Sequence, residues 1–178
     1  MNTYIVLFRG INVGGKNILP MKELTAILER LGCKNIRTYI QSGNVVLETG
    51  NKNTAQLSKN ISAEINKLHR FTPAIQILTL KELEKIVENN PFPEAVNDPK
   101  TLHIGFLDSI PKNPGLQKLE SLKTATENFQ LTDKAFYLHA PEGIGRSKLA
   151  ANSERLLGVS MTDRNWRTVC KIMEMAEG

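Results

Sequence analysis

The chain has 178 residues, of which 40% are hydrophobic and 23% charged, and its formal net charge is +5. This composition is ordinary for a globular protein with one core or two small ones. No apolar run is long enough for a signal peptide or a membrane span, so we expect no export and no membrane partner. Cys33 and Cys170 form no CxxC motif or disulfide framework, which favours a reducing cytoplasm.

The first half of the chain predicts the element order βαββαβ. An apolar strand precedes a glycine-rich loop, and a helix with apolar residues at helical spacing follows. Two β-rich runs joined by a Ser-Gly turn then predict a hairpin, before a second helix and a fourth strand. This order is the split βαβ plait, also called ferredoxin-like. The predicted ranges are Tyr4–Arg9, Pro20–Leu31, Asn35–Ile40, Val45–Glu48, Asn53–His69 and Ala74–Leu78.

The rest of the chain predicts a connecting segment and a second plait. Thr79 and Glu82 form a Thr-x-x-Glu capping box ahead of a helix, and three prolines between Asn89 and Lys100 indicate a linker. The following ranges repeat the βαββαβ order and add a final helix: Leu102–Leu107, Pro114–Leu122, Phe129–Leu131, Ala135–Ala140, Arg146–Leu157, Val159–Met161 and Asp163–Ala176.

The sequence therefore predicts an α+β fold of tandem ferredoxin-like (βαββαβ) plaits with an extra connecting helix and a C-terminal helix. The predicted domains are residues 1–79 for the first plait and 101–178 for the second plait with its C-terminal helix. Residues 80–100 supply the connecting helix and the linker.

The loop Arg9–Lys16 carries three glycines, two basic residues and an asparagine. Such a loop can direct backbone N–H groups and positive charge at an anion. In a plait, the end of the first strand and the turn between the second and third strands lie at the same sheet edge. We therefore expect this loop to lie beside Gln41–Asn44 and to bind a ligand with it. The candidate ligand-binding residues are Arg9, Asn12, Gly14, Gly15, Lys16, Gln41, Ser42 and Asn44.

A second polar cluster is expected in the second plait, where the third and fourth strands end at one edge. Between Gly143 and Lys171 there are six basic residues and two acidic ones. A basic residue in the first turn of a helix is unfavourable by a few tenths of a kcal/mol, because it opposes the helix dipole. A bound anion would remove that cost. The candidate ligand-binding residues here are Arg146, Ser147, Lys148, Arg164 and Asn165.

Residues 10–17 nearly match the P-loop pattern G-x-x-x-x-G-K-[ST]. However, Asn17 replaces the hydroxyl that would hold Mg²⁺, and the predicted helix starts only at Pro20. The hairpin that follows also disagrees with the parallel sheet of a P-loop enzyme. Two interpretations stay open, a phosphate-binding loop of another kind and a purely structural glycine turn.

No complete catalytic motif is present. Ser42 has no His or Lys base near it in sequence, and the three histidines lack metal-ligand spacing. We therefore expect no metal and no cofactor, and the sequence leaves open whether any reaction is catalysed. The positive net charge favours an anionic partner such as a nucleotide or nucleic acid, and the oligomeric state is unknown.

Five segments together resemble the signatures of a bacterial domain-of-unknown-function family, number sixteen ninety-seven. The resemblance covers essentially the whole chain and implies two ferredoxin-like subdomains, with no established activity. The segments are Arg9–Gly15, Thr38–Val45, Asn90–Phe92, Gly145–Leu149 and Thr162–Val169.

The leading hypothesis is a cytoplasmic protein that binds a phosphate-bearing ligand, a nucleotide or nucleic acid, through the two clusters. One alternative is an enzyme for a small phosphorylated or acidic substrate, with Arg9 and Arg146 as electrostatic stabilisers. Another is a structural or interaction module whose loops bind no ligand.

Overall fold

A computed structural model describes all 178 residues of the protein. It contains two four-stranded antiparallel sheets. Residues 1–85 and 171–178 form the first unit, and residues 86–170 form the second. Each sheet belongs to a βαββαβ unit, so the predicted α+β fold of two ferredoxin-like plaits is confirmed. No helix in either unit has the length and apolar sequence needed to cross a membrane.

The first unit contains four strands in the order β2-β3-β1-β4. Strand β1 is central, as its unbroken apolar sequence predicts for a strand covered on both faces. Its last residues pair with the start of β3 and with the start of β4. The elements are β1 (Asn2–Arg9), α1 (Met21–Arg30), β2 (Lys34–Tyr39), β3 (Asn44–Thr49), α2 (Thr54–His69) and β4 (Ala74–Thr79).

The core of the first unit follows the two-residue alternation of β1. Tyr4, Val6 and Phe8 belong to a buried cluster with apolar residues of α1 and α2. Ile5 and Leu7 point to the opposite face, and both have no exposed surface. Both faces of β1 are therefore buried, so the strand is held firmly in the sheet up to Arg9, where the glycine-rich loop begins.

The predicted capping box is present at the start of α3 (Leu80–Glu88). The Thr79 backbone N–H donates to Glu82 Oε2 at 2.8 Å, and the Glu82 N–H donates to Thr79 Oγ1 at 3.2 Å. The proline-rich segment that follows contains a short 3₁₀ helix over Pro93–Asn97.

The second unit has strands in the order β6-β7-β5-β8. Its core packs one sheet face against α4 and α5. The elements are β5 (Leu102–Leu107), α4 (Leu116–Leu122), β6 (Asn128–Leu131), β7 (Ala135–His139), α5 (Lys148–Leu157), β8 (Met161–Asn165) and α6 (Trp166–Glu177). From Lys171 onward, α6 belongs to the first unit.

The predicted closing strand at Val159–Met161 is wrong in position. Strand β8 runs from Met161 to Asn165, and its register pairs Leu107 with Met161 and His103 with Asn165. A polar segment can form a strand here because β8 is at the sheet edge and β5 supplies its ladder. Helix α6 consequently begins at Trp166 rather than Asp163, so Arg164 lies on a strand and does not open a helix.

Tyr137 on β7 makes a buried hydrogen bond, since its hydroxyl donates to the Ile86 carbonyl at 2.6 Å. We expect Tyr137→Phe to lower the free energy of unfolding by about 1–2 kcal/mol, because the carbonyl loses its donor. Urea denaturation of the variant measures this loss. Tyr39→Phe is the control, because no acceptor for the Tyr39 hydroxyl is present, and it should change stability little.

Burial also raises the pKa of Tyr137 to about 12 from its ordinary value of 10.0. The unfolded chain therefore loses this proton at lower pH than the folded chain. The contribution of the protonated Tyr137 hydroxyl to the free energy of unfolding is fully present below pH 10.0 and is lost as the pH rises toward about 12. The Tyr137→Phe variant should therefore lose less stability over this alkaline range than the unchanged protein. If the two proteins lose stability equally as the pH rises, Tyr137 is not the group responsible.

Candidate ligand-binding site

The glycine-rich loop after β1 folds as a tight hairpin over residues 12–17, here called the glycine hairpin. The Lys16 N–H donates to the Val13 carbonyl at 3.0 Å, and the two residues form a β-bridge. Gly14 and Gly15 have φ values of +58° and +73°, the positive signs that a type I′ turn requires at both central positions. The turn alone thus accounts for these two glycines, and α1 begins only at Met21, so no P-loop geometry forms.

Asn12 fixes the glycine hairpin to its surroundings through its side-chain amide. Asn12 Nδ2 donates to the Leu19 carbonyl at 2.9 Å and to the Gln41 carbonyl at 2.8 Å. Its Oδ1 accepts from the Leu19 N–H at 2.7 Å. These bonds close the base of the hairpin and join it to the β2–β3 turn. The two loops that the topology predicts to converge are therefore in direct contact.

The β2–β3 turn, residues 40–43, is anchored equally closely. The Phe8 N–H donates to the Gly43 carbonyl at 2.9 Å, which ties the turn to the end of β1. Asn44 is fully buried, and its Nδ2 donates to the Tyr39 carbonyl at 3.0 Å and to Ser42 Oγ at 3.1 Å. Asn44 thus closes the turn from inside.

The first cluster divides into buried and exposed members. Asn44 is buried, and Asn12 and Ser42 are half-buried, so these three polar groups serve the loops that carry them. The residues at the surface are Arg9, Gly14, Gly15, Lys16 and Gln41. The exposed part of the cluster therefore carries two cationic side chains, one amide and the glycine backbone.

The same edge exposes apolar side chains that the sequence did not identify. Val13, Ile18 and Ile40 are 62%, 54% and 50% exposed. Ile40 also has a φ of +51°, which is strained for a β-branched residue. No local sequence signal marks this position, because isoleucine is ordinarily a strand former.

The second cluster also combines capping residues with exposed charges. Ser147 is buried and caps α5, since its Oγ accepts from the Ala150 N–H at 3.0 Å. Arg146 and Lys148, on either side, are exposed. Asn165 caps α6, and its Oδ1 accepts from the Thr168 N–H at 3.0 Å.

Sheet register places the two segments of this cluster at one edge. His139, the last residue of β7, pairs with Leu102, and Asn165, the last residue of β8, pairs with His103. Both strands thus end beside the start of β5, which is the arrangement predicted from the plait.

Arg164 is half-buried on β8, and its Nη1 donates to the Asp163 carbonyl at 2.8 Å. Burial lowers the pKa of Arg164, and the neighbouring Asp163 carboxylate opposes that shift. Arginine nonetheless keeps its charge at neutral pH.

The sequence pattern does not indicate a histidine–aspartate pair that the structure contains, in which His103 is buried and Asp163 is exposed. His103 Nδ1 lies 2.8 Å from Asp163 Oδ2, and its Nε2 lies 3.1 Å from the Lys100 carbonyl. Each ring nitrogen therefore faces an oxygen acceptor. The sequence predicts Asp163 on the final helix, whereas Asp163 lies on β8, which pairs with the strand that carries His103. No group of three or more His, Cys, Asp or Glu residues is placed to hold a metal ion.

The fold and these loops define the class of the protein, an α+β protein of two ferredoxin-like units with polar loops at the sheet edges. The chain belongs to the family described as "Protein of unknown function (DUF1697)", whose model matches residues 1–137. The resemblance found in the sequence is thereby confirmed, although its last two signatures lie beyond that matched range.

One solved structure extends the comparison to nearly the full chain. It is that of the conserved bacterial protein SP0830 from Streptococcus pneumoniae, with 28% sequence identity and a TM-score of 0.75. The match covers 98% of each chain. A search of curated proteins gives no match.

Proposed function

We propose that the protein binds a phosphate-bearing ligand, a nucleotide or nucleic acid, at the edge formed by the glycine hairpin and the β2–β3 turn. The observation that carries the proposal is the exposure of Arg9 at the end of β1 and of Lys16 in the glycine hairpin, which a hydrogen bond from Asn12 joins to the β2–β3 turn with its exposed Gln41. Because the loops are fixed in advance, ordering them on binding costs little free energy.

Within this proposal the site residues have two roles. Arg9 and Lys16 supply positive charge, Gln41 supplies an amide, and the Gly14–Gly15 turn allows close approach of a phosphate to the backbone. The half-buried and buried members, Asn12, Ser42 and Asn44, hold the loops in position.

The second cluster is proposed as a further contact for a polyanion. Arg146 is exposed at the end of a 3₁₀ turn just before α5, rather than on the helix as predicted, and Lys148 is the exposed first residue of α5, whose dipole also favours an anion. Arg164 adds a third positive charge on β8, while Ser147 and Asn165 hold the two helix starts.

The test compares the full chain with the double variant Arg9→Ala/Lys16→Ala. We expect single-stranded RNA or DNA to bind with an affinity that falls steeply as salt increases, measured by fluorescence anisotropy. If Arg9 and Lys16 each contact a phosphate, the double variant should reduce the salt dependence by about two counterions and weaken binding about tenfold or more. A thermal-shift series with mononucleotides shows whether a single nucleotide suffices.

The matched control is Lys59→Ala/Lys67→Ala, which removes the same charge from the exposed surface of α2. This control should bind almost as the unchanged protein does. If both double variants weaken binding equally, the effect comes from the net charge of the protein, and a specific site at Arg9 and Lys16 is contradicted. Undetectable binding of all nucleotides and oligonucleotides at low salt would overturn the proposal.

A further inference from the structure

The first unit contains an open cleft of about 540 Å³ at the opposite end of its sheet from the glycine hairpin. It lies beside the beginning of β1 and β2 and the end of β3, whereas the glycine hairpin follows the end of β1. Its volume is in the range of small-molecule sites. The lining residues are Thr3, Asn35, Ile36, Arg37, Glu48 and residues 176–178 at the end of α6.

The cleft lies on the sheet face opposite α1 and α2. Arg37 is paired with Val46, and Val46 with Ile5, so these positions share one face. Ile5 alternates with Tyr4 and Val6, which pack in the cluster with α1 and α2. The end of α6 therefore approaches the sheet from the other side and forms one wall of the cleft.

A bulge in the edge strand β2 shapes this cleft. The register between β2 and β3 shifts between Lys34 and Arg37, and Asn35 within the shift has a φ of +49°. Asn35 Nδ2 donates to Glu48 Oε2 at 2.9 Å. This hydrogen bond fixes one carboxylate at the cleft. The three steps of β2 from Lys34 to Arg37 lie opposite only two steps of β3, from Glu48 to Val46.

Arg37 is the unusual group in the cleft. Its Nε is buried and has no hydrogen-bond acceptor in the protein, and it is the one buried side-chain nitrogen or oxygen in this condition. A buried guanidinium N–H without an acceptor is unfavourable, and native structures rarely leave one. Nε itself has almost no surface open to a ligand, but Arg37 lines the cleft, and a guanidinium binds carboxylates through its paired terminal N–H groups.

The same cleft also carries negative charge from Glu48 and Glu177. A ligand with negative charge alone would meet Arg37 and be repelled by these two side chains. We propose that the cleft binds a small zwitterion, a molecule with a carboxylate for Arg37 and a protonated amine for Glu48 and Glu177. Free amino acids and short peptides have this chemistry. The proposal is independent of phosphate binding at the glycine hairpin.

The test follows backbone amide signals of the full chain by NMR while free amino acids are added at millimolar concentration. Dipeptides form a second series, which distinguishes the two sources of the same chemistry. We expect shifts at Asn35, Arg37 and Glu48 with zwitterions, and much smaller shifts with acetate or methylamine, each of which carries one of the two charges. Arg37→Met should weaken binding about tenfold or more, because a charged hydrogen bond is lost.

Glu177→Gln provides a second variant that does not depend on the packing of β2, since this residue is exposed near the end of α6. It should weaken binding of zwitterions but raise the small response to acetate, because one of the two repelling carboxylates is removed. Arg30→Met and Glu29→Gln, both exposed on α1, are the matched controls and should bind normally. The absence of shifts with every amino acid and dipeptide, or binding unaffected by both cleft variants, would overturn the proposal.

Discussion

Gly43→Ala is expected to destabilise the first unit by about 2–4 kcal/mol, combining a backbone cost with overpacking. Gly43 has a φ of +86°, a conformation in which an L side chain is strained. A Cβ at this position would lie 2.6 Å from Phe8 Cβ and 2.7 Å from Ile11 Cδ1. Phe8 and Ile11 have no exposed surface, so neither has room to move aside. Urea denaturation gives the change in unfolding free energy.

Substitutions at two other glycines distinguish the backbone cost of Gly43→Ala from its overpacking cost. Gly32 has a φ of +83° with no atom within 4 Å of a built Cβ, so Gly32→Ala should cost about 1 kcal/mol from the backbone alone. Gly50 has neither a positive φ nor a close neighbour, so Gly50→Ala should change stability by less than about 0.5 kcal/mol. If Gly43→Ala costs no more than Gly32→Ala, the close approach of the turn to β1 is not a constraint.

The fold was predictable because its elements carry local signals that agree with one another. The apolar sequence of β1 indicates a central strand, and the Thr79–Glu82 capping box marks the start of α3. Strand β8 lacks such a signal, since Thr162, Asp163, Arg164 and Asn165 are polar and resemble a helix start. It is a strand because β5 offers a free edge with which it pairs. This pairing joins segments that are far apart in sequence, so the residues of β8 alone cannot reveal it.

The convergence of the two loops at the candidate site could also be predicted, because the βαββαβ order alone places them at one edge. The roles of individual residues could not. Asn12 and Asn44 are predicted as ligand-binding groups on their polarity, yet the structure uses both side chains in loop hydrogen bonds. Distinguishing an asparagine that supports a turn from one that binds a ligand requires the distances to distant carbonyls such as Gln41.

The cleft lined by Arg37 and Glu48 has no counterpart in the sequence pattern. It depends on the bulge at Asn35 and on the arrival of residues 176–178, which are far from β2 in sequence. In sequence Arg37 looks like an ordinary polar residue of an edge strand. Only the buried, unsatisfied Nε distinguishes it.

Asn12→Gly is expected to lower the free energy of unfolding by about 2–3 kcal/mol, because three side-chain hydrogen bonds are lost together. Glycine is the informative replacement, since Asn12 has a φ of +53° and alanine would add backbone strain. The bond to the Gln41 carbonyl also joins the glycine hairpin to the β2–β3 turn. Its loss should therefore speed amide hydrogen exchange at residues 13–18 as well as lower the urea midpoint.

Asn17→Gly is the matched control at the other end of the glycine hairpin. Asn17 also has a φ of +53°, but its side chain makes one exposed hydrogen bond, to the Gly10 carbonyl at 2.9 Å. We expect a loss of about 0.5–1 kcal/mol and little change in exchange. If Asn12→Gly leaves the exchange of residues 13–18 unchanged, Asn12 does not hold the loops together. The proposed site would then lose its preformed edge, because the hydrogen bond from Asn12 is what joins the glycine hairpin, with Lys16, to the turn that carries Gln41.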